Sequence, residues 1–106
     1  MKTIPSNILK NANRVETVSI SSTTITVGTS AFYGCSSLKK VSLPSTTTSI
    51  NTYAFYGCKN MTSFTMSSNI KTIGKYAVKN CSKVEKITLY KTIVSIGDGA
   101  FTNDRK

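Results

Sequence analysis

Histidine and tryptophan are absent from this 106-residue chain, and acids are scarce: four Asp and Glu stand against fourteen Lys and Arg, a formal net charge of +10. Without His the chain lacks the commonest general base and the usual partner of cysteine in zinc sites. The acids Glu16, Glu85, Asp98 and Asp104 fall at unrelated positions, so no carboxylate pair suggests acid-base chemistry, and no glycine-rich phosphate loop is present. The sequence therefore predicts no catalytic residue, no enzyme activity, no metal site and no cofactor. No window approaches the ~18 consecutive apolar residues of a membrane-spanning helix. The start, Met1 to Asn7, lacks the apolar stretch of a secretion signal, so an exported parent protein is expected to carry further sequence.

The positive charge favours polyanions such as nucleic acid, sulfated glycan or anionic membrane. Its composition tempers that reading. Of the fourteen basic residues only Arg14 and Arg105 are Arg, the residue on which bidentate reading of bases and phosphates depends, which argues against a nucleic-acid partner.

What the chain does have is an internal repeat. Val27 to Cys35 (VGTSAFYGC) recurs as Ile50 to Cys58 (INTYAFYGC) and as Ile73 to Cys81 (IGKYAVKNC), and breaks off at Ile96 to Phe101 (IGDGAF), each copy 23 residues after the last. One step back from Val27 falls on Ile4, where the motif is degenerate: Ile8 and Leu9 replace Ala and Phe, and Ala12 replaces Cys. The second half of each copy reads Leu38-x-x-Val41-x-Leu43, matched by Val15, Val18 and Ile20, by Met61, Phe64 and Met66, and by Val84, Ile87 and Leu89. Residues 41 and 43 are apolar where 40 and 42 are polar, the alternation of a short strand with one buried face.

The expected architecture is one array over residues 1–106, with coils near 4–26, 27–49, 50–72 and 73–95 and a partial coil 96–106. One short parallel strand per coil is predicted, near 17–20, 40–43, 63–66 and 86–89. The segment around Ala31 and Phe32 is too brief for a long helix and predicts a short helical or 3₁₀ turn on the outer side. Asn11, Gly34, Gly57, Asn80 and Asn103 recur at its close, and Gly and Asn are the types that accept a left-handed conformation. Val27, Ile50, Ile73 and Ile96 are expected to stack as one buried ladder. Phe32, Phe55 and Phe101 form another, and Cys35, Cys58 and Cys81 a third. Equivalent cysteines on stacked coils point their Cβ atoms in parallel, so they predict small buried thiols with no disulfide or metal role.

The pattern Ile-Gly-x-x-Ala-Phe-x-Gly-Cys-x-x-Leu-x-x-Val-x-Leu-Pro resembles the BspA-like leucine-rich repeat, and the copy from Val27 to Pro44 matches it nearly throughout. Departures are Asn51 and Asn80 for Gly, Val78 for Phe, and Ser67 and Tyr90 where Pro44 ends its strand. The resemblance implies an α/β leucine-rich-repeat solenoid with a parallel sheet. It also implies a non-catalytic adhesion or recognition module, at the cell surface or secreted, with no catalytic residue to carry over.

Candidate contacts are the outward strand positions Thr17, Ser19, Lys40, Ser42, Ser63, Thr65, Lys86 and Thr88. They read either as ordinary solvated strand residues or as a polar recognition strip for a protein or glycan partner. Lys71, Lys75, Lys79 and Lys83 form a second basic group around the fourth coil's turn, readable as a solvated face. Tyr33 and Tyr56 either pack on each other across coils or serve as contacts. Two rival functions remain: electrostatic binding of polyanions, and end-to-end self-association, since no polar capping repeat is evident. The sequons at Asn60 and Asn80 are as many as chance would supply in so Ser/Thr-rich a chain.

Overall fold

A computed structural model describes residues 2–18, 20–84 and 87–101. Ser19, Lys86 and Asn103, which carry expectations above, lie outside the described residues. Among those described, seven short strands form two parallel sheets. The larger has the order β1 (Lys2–Ile4), β2 (Thr24–Val27), β4 (Ser49–Ile50), β6 (Thr72–Ile73), β7 (Ser95–Ile96). It is held in repeat register, with Ile4 beside Val27, Val27 beside Ile50, Ile50 beside Ile73 and Ile73 beside Ile96. The smaller pairs β3 (Lys40–Ser42) with β5 (Ser63–Thr65), and Thr17 adds a single bridge to Lys40.

A complete coil thus carries two strand stations where one was expected. The station beginning each repeat escaped the sequence pattern because β4, β6 and β7 are 2 residues long, too short for alternation to register. Of the four expected strands, those at 40–43 and 63–66 form, the first coil gives only the Thr17 bridge, and residues 87–89 of the fourth form none. The fourth copy has a strand neighbour on one side only, and its side chains show it: Ile87 is half-buried and Leu89 exposed.

The expected helical or 3₁₀ turn is instead a run of β-turns, because alternate amides are drawn out of the coil. Ser30, Phe32 and Gly34 donate to the Thr52, Ala54 and Tyr56 carbonyls of the next coil, while Ala31, Tyr33 and Cys35 close turns onto Gly28, Ser30 and Phe32. A helix needs every amide for its own i−4 carbonyl. Reversing direction at alternate residues requires left-handed backbone, and Asn11 (φ 61), Gly34 (71), Gly57 (75) and Asn80 (65) supply it where the sequence indicated. A second left-handed column was not anticipated: Asn7, Ser30, Tyr53, Tyr76 and Gly99.

Between sheets and turns lies the core. Phe32 and Phe55 stack with centroids 5.0 Å apart and planes 9° from parallel, and Phe64 from β5 meets Phe55 edge-on at 5.1 Å. Val27, Ile50, Ile73, Val41 and the three cysteines are buried. Two expected ladder residues depart from this. Ile96 pairs with Ile73 yet is 45% exposed, and Phe101 is half-buried, because among the described residues no coil lies beyond theirs. At the other end the degenerate first coil packs loosely: Ile8 is exposed, and a cleft of about 420 Å³ opens beside Ile4, Leu9, Val18 and Phe32.

Candidate functional site

Strands β3 and β5 alternate exposed, buried, exposed: Val41 and Phe64 point into the core, leaving Lys40, Ser42, Ser63 and Thr65 in solvent. Parallel pairing then sets Lys40 beside Ser63 and Ser42 beside Thr65, and the bridge puts exposed Thr17 next to Lys40. Thr88 is also exposed, and it borders with Ser63, Thr65, Met66 and Tyr90 an open cleft of about 440 Å³. Thr17, Lys40, Ser42, Ser63, Thr65 and Thr88 therefore share one surface region, flanked by an exposed ion pair between Lys39 Nζ and Glu16 Oε1 at 3.6 Å.

Several hydroxyls at the coil corners are engaged. Thr46 Oγ1 donates to the Ser22 and Thr24 carbonyls, Thr47 Oγ1 to Thr24, Ser67 Oγ to Thr47 at 2.6 Å, and Thr92 Oγ1 to Ile70 at 2.7 Å. These satisfy carbonyls at and beside the coil corners, as buried backbone requires. The side-chain hydroxyls of Thr17, Ser42, Ser63, Thr65 and Thr88 have no hydrogen-bond partner among the described residues.

A second hydroxyl column was missed. Thr3, Thr26, Ser49, Thr72 and Ser95 align on the larger sheet, and Ser49 and Thr72 bond each other at 2.9 Å. Its signal was present as a Ser or Thr before each of Ile4, Val27, Ile50, Ile73 and Ile96. Without knowledge of the second strand station, that signal had no structural meaning.

The outer turn gathers the tyrosines. Tyr33 and Tyr56 stack at 5.0 Å and 9°, Tyr53 meets both edge-on at 5.8 and 5.3 Å, and Tyr76 continues from Tyr53 at 5.4 Å. Lys10 lies over Tyr33 at 5.3 Å, and Lys75 and Lys79 over Tyr76 at 5.3 and 4.5 Å. The second basic group is thereby divided: Lys75 and Lys79 converge on the ring, while Lys83 Nζ donates to Asn60 Oδ1 at 2.8 Å.

Each thiol donates to a carbonyl of the preceding coil, Cys35 to Leu9, Cys58 to Phe32 and Cys81 to Phe55. Burial pushes the Cys35 thiol above its usual pKa, and the Cys81 thiol, then burial, push Cys58 up. The Cys35 and Cys58 thiols stay protonated in the fold at pH values where the unfolded chain ionises. Their stabilisation is therefore intact below the unfolded thiol pKa of ~8.5 and is lost progressively as pH rises beyond it. Denaturant midpoints are expected to hold up to about pH 8 and decline above it, a decline that Cys58→Ala should lessen. Native cysteines should alkylate far more slowly than unfolded ones, and a bridge between Cys35 and Cys58 in a peptide map would contradict this assignment. No group of three or more potential metal ligands occurs among the described residues.

Parallel strands stacked at a constant step, with turns bonded from coil to coil, define a leucine-rich-repeat solenoid. The chain belongs to the BspA-type leucine-rich repeat family: the description "BspA type Leucine rich repeat region (6 copies)" matches residues 2–106. Among solved structures it is similar to a leucine rich repeat protein of T. pallidum (24% identity, TM-score 0.92, covering 96% of this chain and 48% of that one). A leucine-rich repeat protein of Bacteroides ovatus is similar at 22% identity and TM-score 0.88, covering 96% of this chain and 26% of that one. A leucine rich cell surface protein of Faecalibacterium prausnitzii has 22% identity and TM-score 0.64, covering 98% of this chain and 35% of that one. At such identities the likeness is one of fold, and the chain spans less than half the length of each. No curated protein matches. Members of the family are generally non-catalytic scaffolds for protein interaction, typically surface or secreted. Among the described residues, no helix is long and apolar enough to cross a membrane.

Proposed function

We propose that this chain is a non-catalytic recognition segment of a cell-surface or secreted adhesion protein, binding a protein or glycan partner through the β3–β5 face. The observation that carries the reading is the exposed, in-register set of hydroxyls on this face: those of Thr46, Thr47, Ser67 and Thr92 at the corners are committed to carbonyls, while those of Thr17, Ser42, Ser63, Thr65 and Thr88 bond nothing among the described residues. The β3–β5 pair presents Ser42, Ser63 and Thr65 in register beside Lys40, so a ligand meets preorganised donors and loses little conformational entropy on their side. Residues 1–106 serve in this reading as one array of four coils and a partial fifth. Its face is small beside the ~20–30 residues per side of a standard interface, so tight binding calls for additional coils or multivalent display.

The test pairs Lys40→Glu/Thr65→Glu with Lys75→Glu/Lys79→Glu, measured against any ligand retained from a panel of extracellular proteins and glycans. The strand-face pair is expected to weaken binding roughly 10-fold, about 1.4 kcal/mol, and the outer-turn pair far less for a protein ligand. Losses that follow the charge removed, three units in the first pair against four in the second, and that vanish at high salt would sink the strand-face assignment, because they would report total charge alone.

A further inference from the structure

The geometry points to a second binding surface on the outer turn, where Tyr33, Tyr53, Tyr56 and Tyr76 with Lys10, Lys75 and Lys79 take a sulfated glycan chain running along the solenoid axis. Backbone conformation supplies the first argument. Tyr53 and Tyr76 sit at φ 61 and 57, a left-handed region that costs an L side chain roughly 1–2 kcal/mol. The equivalent positions of the first and last coils hold Asn7 and Gly99, types that tolerate it. Neither tyrosine fills the core, since both are only half-buried. Their packing is against one another and the neighbouring tyrosines of the outer turn, outside the core, and strain held at such a surface position is the kind of outlier from which function is inferred.

Ring geometry identifies the chemistry. Tyr33 and Tyr56 cover each other's faces, Lys10 lies over Tyr33, and Lys75 and Lys79 lie over Tyr76. A ligand therefore finds few open ring faces for stacking a base or a neutral sugar. It meets electropositive ring edges, phenols and ammonium groups, which attract oxyanions. Tyr56 Oη accepts from Asn80 Nδ2 at 3.3 Å, but the hydroxyls of Tyr33, Tyr53 and Tyr76 bond nothing among the described residues. No carboxylate pairs with the three lysines among those residues, where Lys39–Glu16 is the single ion pair. Asp98 stands one coil beyond Lys75 and bounds the surface at that end.

Shape selects among polyanions. The column Lys10, Tyr33, Tyr56, Lys79 repeats once per coil, with the stacked rings 5.0 Å apart, close to the advance of one sugar in an extended glycan. Like-facing side chains of an extended acidic peptide recur at roughly 6.6 Å and drift out of step. Single-stranded nucleic acid gains much of its affinity by stacking bases on open aromatic faces, which the stacked pair denies, and the cations over these rings are all Lys among the described residues.

The test is calorimetric titration with a size-defined heparin oligosaccharide, its fully desulfated counterpart, polyglutamate and single-stranded DNA. Tyr53→Asn/Tyr76→Asn keeps the charge and suits left-handed backbone, so its thermal midpoint should not fall far, while heparin affinity is expected to drop ~10-fold. Lys75→Gln/Lys79→Gln should lose ~10-fold, whereas the charge-matched Lys59→Gln/Lys91→Gln should lose no more than ~2-fold. A heparin loss in Ser42→Ala/Thr65→Ala that matched the loss in the tyrosine variant would assign the sugar to the strand face and overturn this proposal, while leaving the strand-face reading standing. Unchanged affinity in the folded tyrosine variant, equal losses from the two lysine pairs, equal binding of the desulfated chain, or tighter binding of polyglutamate or DNA would each overturn the proposal.

Discussion

Phe55→Ala should destabilise the fold by ~3–5 kcal/mol, and Phe101→Ala by much less. Phe55 is fully buried, stacked on Phe32 at 5.0 Å and met edge-on by Phe64 at 5.1 Å. Truncation removes the burial of a large side chain and both ring contacts. It also leaves a cavity that rigid coils above and below cannot close, because their spacing is fixed by the bonds from Phe32 N–H to the Ala54 carbonyl and from Phe55 N–H to the Ala77 carbonyl. Phe101 packs the same motif position but is half-buried, so little is lost there. Urea titration of both variants checks the comparison, and equal midpoint shifts would contradict an array whose stability declines toward its ends.

Gly74→Ala is expected to cost about 2–3 kcal/mol, the upper part of the range of an overpacked core site, although it adds only a single methyl group. The backbone of β6 turns away from its strand at Gly74, whose N–H reaches the Ile50 carbonyl at 2.7 Å. A Cβ there would lie 2.5 Å from the Thr52 nitrogen and 2.6 Å from the Asn51 carbonyl carbon, and backbone atoms in a bonded ladder cannot retreat as a flexible side chain would. Relief requires the two coils to separate, weakening the bonds from Gly74 to Ile50 and from Tyr53 to Lys75 together. Gly28 and Gly97 meet the same backbone obstruction. Asn51 fills the position in the third coil, so close approach is relaxed between the second and third coils; Asn51→Gly should be nearly neutral by the same urea assay.

Much of this was legible because repeats report three-dimensional neighbours directly. A constant step makes residue 27 the neighbour of 50 by spacing alone, and the burial of Val41 and Phe64 with exposure of Lys40, Ser42, Ser63 and Thr65 follows from alternation within that step. The glycines and asparagines of one left-handed column were readable since only those types sit there. The other column was hidden by Ser30, Tyr53 and Tyr76, residues whose chemistry gives no hint of φ above zero. Helical character in the turn was misread for a related reason: local spacing shows a tight turn but not which amides bond the next coil. Exposure of Ile96 followed from tertiary context that periodicity does not carry. The tyrosine surface needed both columns at once, Tyr33 and Tyr56 from one and Tyr53 and Tyr76 from the other, and its lysines come from the first and fourth coils.

Alternation of amide direction in the turns also governs how such a chain can change its length. Turn amides of each coil donate forward, Phe32 to Ala54 and Phe55 to Ala77, whereas strand-end amides donate backward, Asn51 to Val27 and Gly74 to Ile50. Every coil thus offers donors and acceptors on both faces in one fixed arrangement, and any coil can follow any other only in the same orientation and register. Gene duplication or deletion that moves one whole repeat unit leaves each surviving bond with an equivalent partner. An indel of any other size within a coil rotates the downstream donors away from their carbonyls, unless the added residues bulge out at a corner. Lineages can therefore lengthen or shorten the array in whole coils by recombination, keeping its binding faces continuous, while point insertions are confined to the turns between strands.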